Sequence, residues 1–272
     1  MKNTRNVRCQ VSGDRMAYLQ RNLRSCHVST FNSQLSTLNR LRAFTLIELL
    51  VVIAVIGVLA ALVLPVVGAV KKHQYIYNTQ AELSQLELAI ERYKSTYGFY
   101  PPSNSRTADF PNNWLVNQLY YELTGTTNIS QTSTPAYQTL DASLVTPLTG
   151  GLGGDVETIF GAGGFMNCSK SGAGEDASSA KSFLTDLRPR QLATTTYKGK
   201  SVKMLVASVG GPDATYKPLG VQDLNPWRYN SLNPTNNPGS YELWVQIGVG
   251  GKTNLICNWT KQVQVQYINP LP

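Results

Sequence analysis

Glu48 is the residue whose chemistry most needs an explanation. It is the one charged side chain between Phe44 and Val70, a stretch of 27 residues. A carboxylate within an apolar segment is costly in a membrane and is usually functional where it occurs. The residues alone leave two alternatives open: Glu48 stays solvated at the level of lipid headgroups, or it lies within the membrane and has a function there.

The rest of the chain offers little for catalysis. His73 is the only histidine after residue 43, so a Ser/His/Asp or Cys/His site would lack its base. The glycines of residues 161–164 lack the spacing of a dinucleotide-binding turn, and Ser169 stands before Lys170 where a phosphate-binding loop needs glycine. We predict no catalytic residues and no enzymatic activity.

Metal and disulfide chemistry is equally sparse. Asp213 and Asp223 flank a loop with Gly and Pro and could coordinate an ion, but acids solvated in turns are the favoured interpretation. We therefore predict no metal site. Cys168 and Cys257 are the two cysteines that could meet an oxidising compartment. A Cys168–Cys257 disulfide and two separate thiols both stay open.

An apolar segment positions Glu48. Residues 49–70 carry no charge, and about 20 apolar residues suffice to cross a bilayer. Arg40 and Arg42 precede the segment, but no small-x-small cleavage site follows it, so we expect it to be retained. Residues 44–70 are thus predicted to be a transmembrane helix.

The charge distribution orients this helix. The net charge is +8, but residues 1–43 hold eight basic residues against the single acid Asp14, so the remainder carries only +1. The basic end is expected in the cytoplasm by the positive-inside rule. Nucleic-acid binding is not expected, because the exported part has no basic excess.

The helix is predicted to continue beyond the apolar segment. Five apolar residues recur at intervals of three and four and form a stripe, and Gly98 and Pro101 end the run. We predict a helix over 45–97, in which 71–100 is the amphipathic continuation and Gly57 and Pro65 allow a kink around Ala61. The stripe residues are Leu83, Leu86, Ile90, Tyr93 and Tyr97.

Residues 101–272 are predicted to form a globular α+β domain. A short helix is expected over 113–123, and a long loop rich in Gly and Ser over 124–181. Alternating apolar residues predict strands over 201–209, 241–249, 254–259 and 262–268, which form an antiparallel set.

Residues 43–52, AFTLIELLVV, resemble the cleavage and methylation motif of type IV pilins and type II secretion pseudopilins. The aromatic Phe44, Glu48 four positions later, Gly57 and Pro65 stand at the spacings of these families. Ala43 departs from the usual Gly. The GFYP sequence at 98–101 and, more loosely, the segments 225–229 and 238–244 resemble pseudopilins too. The resemblance implies a pilin-like α+β fold, with a long N-terminal helix packed on a small antiparallel sheet domain.

The resemblance also implies a function. A prepilin peptidase would cut between Ala43 and Phe44, the leader 1–43 would be removed, and the amino group of Phe44 would be methylated. Met16 is an alternative start for that leader. Glu48 would pair with Phe44 of a neighbouring subunit and set the register of a filament. Family members that bind calcium use acidic loops, but 248–254 has no Asp or Glu, so no cofactor is predicted.

The implied partners are other pilin or pseudopilin subunits, the inner-membrane assembly platform and the lipid bilayer. The implied location is the bacterial inner membrane, with a cytoplasmic N-terminus and a periplasmic or extracellular domain, and then a pilus or pseudopilus. A single-pass envelope protein whose exported domain binds a ligand or polymer is the alternative. The sequence does not separate a pseudopilin from a pilus subunit, or a major from a minor one.

Overall fold

A computed structural model describes residues 44–170, 179–185 and 187–265. The chain divides into two units, Met1–Ala54 and Val55–Pro272. The predicted α+β class is confirmed, since one long helix is followed by largely antiparallel sheets. The predicted leader, with the cleavage position Ala43, lies outside the described residues.

The first element is the long helix α1, Leu46–Tyr97. It begins one residue later than predicted and ends where predicted, at Gly98, whose φ of +86° favours glycine. The Gly98 amide donates to the Lys94 carbonyl and closes the last turn. α1 is continuous through Gly57 and Pro65, and a kink around Ala61 stays a prediction.

The predicted apolar stripe on α1 is confirmed over its second part. Leu86, Ile90 and Tyr93 are at most 2% exposed, and Leu83 is buried as well. Tyr97 is partly buried and packs against the same core. This stripe joins α1 to the hydrophobic core of the second unit.

The single helix predicted over 113–123 is wrong. The structure has two short helices, α2 (Asn112–Leu115) and α3 (Leu119–Thr124). Asn117 separates them: its amide group donates to the carbonyls of Trp114 and Trp227, and its Oδ1 accepts from the Leu119 amide. Side-chain bonds of this kind compete with helical ones. Leu115, Leu119 and Leu123 are buried as expected, whereas Trp114 is half-buried.

The long loop predicted over 124–181 is also wrong. Residues 126–170 contain β1 (Thr126–Asn128), β2 (Ala136–Thr139), β3 (Leu148–Thr149), α4 (Asp155–Phe160) and β4 (Cys168–Lys170). The four strands form a sheet in the order β3-β2-β1-β4, with β1 and β4 parallel and the other pairs antiparallel. Residues 171–178 lie outside the described residues.

The glycines of this segment permit close packing. The Tyr137 ring is buried and lies 5.2 Å from the Phe165 ring, centroid to centroid. A Cβ added at Gly164 would lie 2.1 Å from the Tyr137 hydroxyl, and one at Gly150 would lie 2.5 Å from its ring. Glycine is required at both positions because the backbone approaches the ring so closely.

The remaining strands build a hairpin and a second sheet. The hairpin is β5 (Leu192–Tyr197) with β6 (Lys200–Leu205), and the antiparallel sheet β10-β9-β8-β7 contains β7 (Arg228–Asn230), β8 (Glu242–Val249), β9 (Lys252–Cys257) and β10 (Thr260–Val265). β8 matches its prediction within one residue, and the hairpin strand β5 was not predicted. β6, β9 and β10 are shorter than or shifted from the predicted 201–209, 254–259 and 262–268. Among the described residues, 3₁₀ turns lie at Thr107–Asp109, Pro189–Gln191 and Pro218–Gly220.

Candidate functional site

The N-terminus of α1 places Glu48 against Thr45, the residue before the helix. The backbone amide and the hydroxyl of Thr45 both donate to Glu48 Oε2 at 2.9 Å, and the Glu48 amide donates to Thr45 Oγ1 at 3.3 Å. This is a capping box, in which the residue before the helix and the third helical residue satisfy each other's amides. The carboxylate is therefore held over the first turn, next to the residue that would become the N-terminus.

Thr45 is the residue of this site that sequence reasoning missed. Its spacing to Glu48, Thr-x-x-Glu before an apolar run, is a capping-box signature and could have identified it. The hydrogen bonds described for Glu48 are with Thr45, and Phe44 lies two residues before the start of α1. The predicted pairing joins Glu48 to Phe44 of another subunit.

The first part of α1 exposes its apolar side chains. Every residue from 44 to 62 is exposed in the single chain, with Phe44 at 78% and Leu46 at 80%. Contiguous apolar surfaces of this size mark sites of protein or membrane contact. Within the described part of the chain, the structure contains no helix that combines the length and the apolar character of a membrane span.

Gly57 lies on this exposed segment. A Cβ added there would meet nothing within 4 Å, so packing within the chain does not require glycine at this position. Pro65 lies further along the same helix.

A buried carboxylate ties the other part of α1 to the domain. Glu122 on α3 accepts from the Tyr93 hydroxyl at 2.9 Å and from the amides of Met166 and Asn167 at 2.9 and 3.0 Å. Burial raises the pKa of Glu122 above its usual range, although the three donors oppose the shift. Asn167 also accepts from the Tyr97 hydroxyl at 2.7 Å. These polar contacts hold residues 93–97 against the first sheet.

The disulfide considered between Cys168 and Cys257 is not formed. Cys257 is a buried thiol on β9, and burial raises its pKa to about 11. Cys168 lies on β4 in the other sheet, where its thiol donates to the Ser169 carbonyl at 3.4 Å. The two cysteines lie on strands of different sheets.

Asp213, one of the two acids considered for a cation, bonds to the local backbone. Asp213 Oδ1 accepts from the Thr215 amide at 2.7 Å, which closes a turn. Residues 248–254 contain the end of β8, the start of β9 and the tight turn between them, in which Gly250 and Gly251 have positive φ. Among the described residues, no group of three or more His, Cys, Asp or Glu side chains is placed to hold a metal ion.

Comparisons with known proteins agree with the resemblance at the N-terminus. Residues 38–64 match the prokaryotic N-terminal methylation motif. The chain is also 40% identical over 63 residues to the type II secretion system core protein G of Escherichia coli (strain K12), a stretch that covers 23% of this chain and 43% of that protein. The chain thus spans less than half the length of this relative. No solved structure matches this chain.

Proposed function

We propose that the chain is a structural subunit of a type II secretion pseudopilus or a type IV pilus-like filament. The N-terminal methylation motif and the distant similarity to core protein G support this class. The single observation that carries the proposal is the exposed, largely apolar surface of residues 44–62, which lies within the residues 38–64 that match the motif. Such a surface requires a partner, and identical helices in a filament provide one.

Processing would come first. A prepilin peptidase would remove residues 1–43 by cutting between Ala43 and Phe44, and the new Phe44 amino group would be methylated. The leader carries most of the net positive charge, which would keep it in the cytoplasm while the domain is exported. The subunit would wait in the inner membrane through residues 44–70 and contact the assembly platform there.

Assembly would then depend on Glu48. Within a bundle of apolar helices, an ammonium group and a carboxylate are each costly alone, and pairing neutralises both. The capping box with Thr45 would orient the Glu48 carboxylate before a neighbour arrives. Pairing with Phe44 of the next subunit would fix the axial register, while Gly57 would allow close helix approach and Pro65 a local bend.

The proposal is tested with Glu48→Ala in cells that carry the assembly machinery. We expect this variant to be processed, as judged by its size, but to give at least about tenfold less filament in the sheared fraction, because an unpaired buried charge costs about 3–5 kcal/mol. Glu91→Ala is the matched control, since Glu91 is an exposed glutamate on the same helix. It should assemble like the wild type.

Two results would contradict the proposal. Normal assembly of processed Glu48→Ala would contradict the proposal that Glu48 fixes the axial register. Absence of any peptidase-dependent polymer from wild-type cells would favour the alternative, a single-pass envelope protein that binds a ligand through its exported domain.

A further inference from the structure

The turn between β8 and β9 lies against α1 just beyond the predicted membrane segment. A Cβ added at Gly250 would lie 2.8 Å from Cε and 3.0 Å from Nζ of Lys72, so the Lys72 side chain runs along the backbone of this turn. Gly250 has a φ of +63° and belongs to the two-residue turn that joins Val249 to Lys252. The fold therefore brings one end of a hairpin of the domain to the place where α1 would leave the membrane.

The position of Lys72 along α1 gives the depth of this contact. Lys72 is the second residue after the predicted span 44–70. At a rise of 1.5 Å per residue, its Cα lies about 3 Å past the end of the hydrocarbon layer. The headgroup layer on each side of a bilayer is about 5–8 Å thick. Lys72 and the turn that it contacts therefore lie at the level of the lipid phosphates.

Lys252 belongs to the same level. It is two residues from Gly250 in the sequence, so their Cα atoms are no more than about 7 Å apart. Its side chain is exposed, and a lysine side chain is long and flexible. The Lys252 ammonium group can therefore reach the layer in which Lys72 lies.

Three lysines form a basic patch at this place: Lys71, Lys72 and Lys252. All three are exposed, and the ion pairs found in the described part of the chain do not include them. The segments that carry them, residues 65–80 and 248–254, contain no Asp or Glu. The patch thus has cations to offer to a partner outside the chain.

Asp213 is an acid close to this patch. The carbonyl of Pro212 would lie 2.6 Å from a Cβ added at Gly248, which places the next residue, Asp213, beside the end of β8. The Asp213 carboxylate accepts from the Thr215 amide at 2.7 Å. Three lysines and this carboxylate leave a net charge of +2, so the patch still favours an anionic partner.

Two tyrosines favour a lipid over an acidic protein as that partner. Tyr75 and Tyr77 follow the patch on α1 and are 46% and 66% exposed. They lie about 8–10 Å past the end of the predicted span, and tyrosine is enriched at the interface between membrane and water. Lipid phosphates would also lie next to the patch for as long as the subunit stays in the membrane.

We propose that Lys71, Lys72 and Lys252 bind the headgroup phosphates of anionic phospholipids and hold the β8–β9 end of the domain on the membrane surface before assembly. The inference rests on the proposed function, in which residues 44–70 wait in the inner membrane. Each lysine near an anionic surface strengthens such an association about fivefold. Extraction of the subunit into a filament would break these contacts.

The test is photo-crosslinking of the full chain in phosphatidylcholine vesicles with and without one third phosphatidylglycerol. Two trace phosphatidylcholine probes carry a diazirine, one beside the headgroup phosphate and one in the acyl chain, and the adducts are mapped by mass spectrometry. We expect the acyl-chain probe to label residues 44–70 in both kinds of vesicle. The headgroup probe should label residues 249–254 at least about fivefold more when phosphatidylglycerol is present. This excess should disappear in about 1 M salt, where the screening length falls to about 3 Å.

A matched pair of variants tests the lysine of the domain. Lys252→Gln should lower the labelling of residues 249–254 about fivefold in the vesicles with phosphatidylglycerol. Lys261→Gln removes the same charge beyond the other end of β9, about 17 Å along the strand from Lys252. Lys261 is exposed as well, and this control should be labelled like the wild type.

Several outcomes would overturn the inference while the acyl-chain probe still labels residues 44–70. They are equal labelling of 249–254 in the two kinds of vesicle, equal labelling in Lys252→Gln and Lys261→Gln, and loss of the labelling when inorganic phosphate is added at the concentration of the anionic lipid. The last result would assign the patch to free phosphate. Absence of acyl-chain adducts within 44–70 would contradict the proposed membrane stage itself, and the inference would fall with it.

Discussion

The two parts of α1 use the same kind of apolar surface in opposite ways. Residues 44–62 expose all their side chains, whereas Leu86, Ile90 and Tyr93 are almost completely buried in the domain. Each part also contributes to a carboxylate site. Glu48 is exposed and bonded to its own helix end, and Glu122 is buried and bonded to Tyr93. Apolar character alone therefore does not distinguish residues that stabilise a fold from residues that await a partner.

The two parts of α1 differ in what packs against their apolar residues. The stripe of residues 83–97 finds its partner within the chain, because the sheets and α3 cover it. The segment 44–62 has no such cover in the single chain, and we assign its partner to lipid and then to neighbouring subunits. Substitutions in the two parts should accordingly affect different measurements.

The largest contrast is expected between two leucines. Leu86→Ala should lower the free energy of unfolding by about 2–5 kcal/mol, because it removes buried methyl groups and leaves a cavity. Leu59→Ala, at a position 57% exposed, should change it by no more than about 0.5 kcal/mol. Urea unfolding followed by tryptophan fluorescence measures both, since all four tryptophans lie in the second unit. Equal effects would mean that 44–62 is packed within the chain.

The second-largest contrast in stability is expected between substitutions at the two carboxylates, Glu122 and Glu48. Glu122→Gln should destabilise the domain by about 1–3 kcal/mol, because its amide group brings two hydrogens to a position that already faces a donor. A protonated Glu122 brings only one hydrogen, which the Tyr93 hydroxyl oxygen can accept. Glu48→Gln should leave the unfolding of the domain unchanged, since Glu48 bonds only to Thr45 among the hydrogen bonds described. The same urea titration compares the two variants, and a large loss in Glu48→Gln would break the distinction.

The pH dependence sharpens this second contrast. Burial raises the pKa of Glu122, so the folded state binds its proton more tightly than the unfolded state does. Its contribution to stability is full below the ordinary glutamate pKa of 4.5 and is lost as pH rises through the raised value. The stability advantage of wild type over Glu122→Gln should therefore shrink with rising pH. An advantage that grows over this range would contradict the buried position. Asp109, Asp141 and Asp155, whose pKa values are lowered, act in the opposite direction below 3.8.

The smallest contrast concerns two tyrosine hydroxyls on α1. Tyr97→Phe removes the donor to Asn167 and should cost about 1 kcal/mol, the usual worth of one hydrogen bond. Tyr77→Phe, at a position 66% exposed, should cost nothing measurable. Thermal unfolding of the paired variants checks this. Equal melting temperatures for the two would show that the Tyr97 bond does not anchor the helix.

Sequence patterns predicted the elements whose cause is local. The second part of α1 was predicted from apolar residues at helical spacing between Leu83 and Tyr97 and from Gly98 after them. β8 was predicted from the alternation between Tyr241 and Val249. In both cases the pattern consists of residues close together in the sequence. The sheet of residues 126–170 was missed because its cause is distant. The glycines of this segment predicted a loop, but Gly150 and Gly164 are required because the backbone packs closely against the ring of Tyr137. The Asn167 amide donates to Glu122, which lies 45 residues earlier in the sequence.

The candidate sites divide in the same way. The motif around Phe44 and Glu48 is a contiguous run, so its spacing identified it. The buried Glu122 site gave no sequence signal, because its donors come from α1 and from the residues around the start of β4. Only the folded chain brings these segments together.

The central claim is that Phe44 becomes a methylated N-terminus. The most direct test is intact-mass and N-terminal peptide analysis of the chain isolated from cells with and without the prepilin peptidase. We predict a chain that begins at N-methylated Phe44 when the peptidase is present, and an unmethylated chain that retains residues preceding Phe44 when it is absent. The same unprocessed N-terminus in both strains would contradict the account.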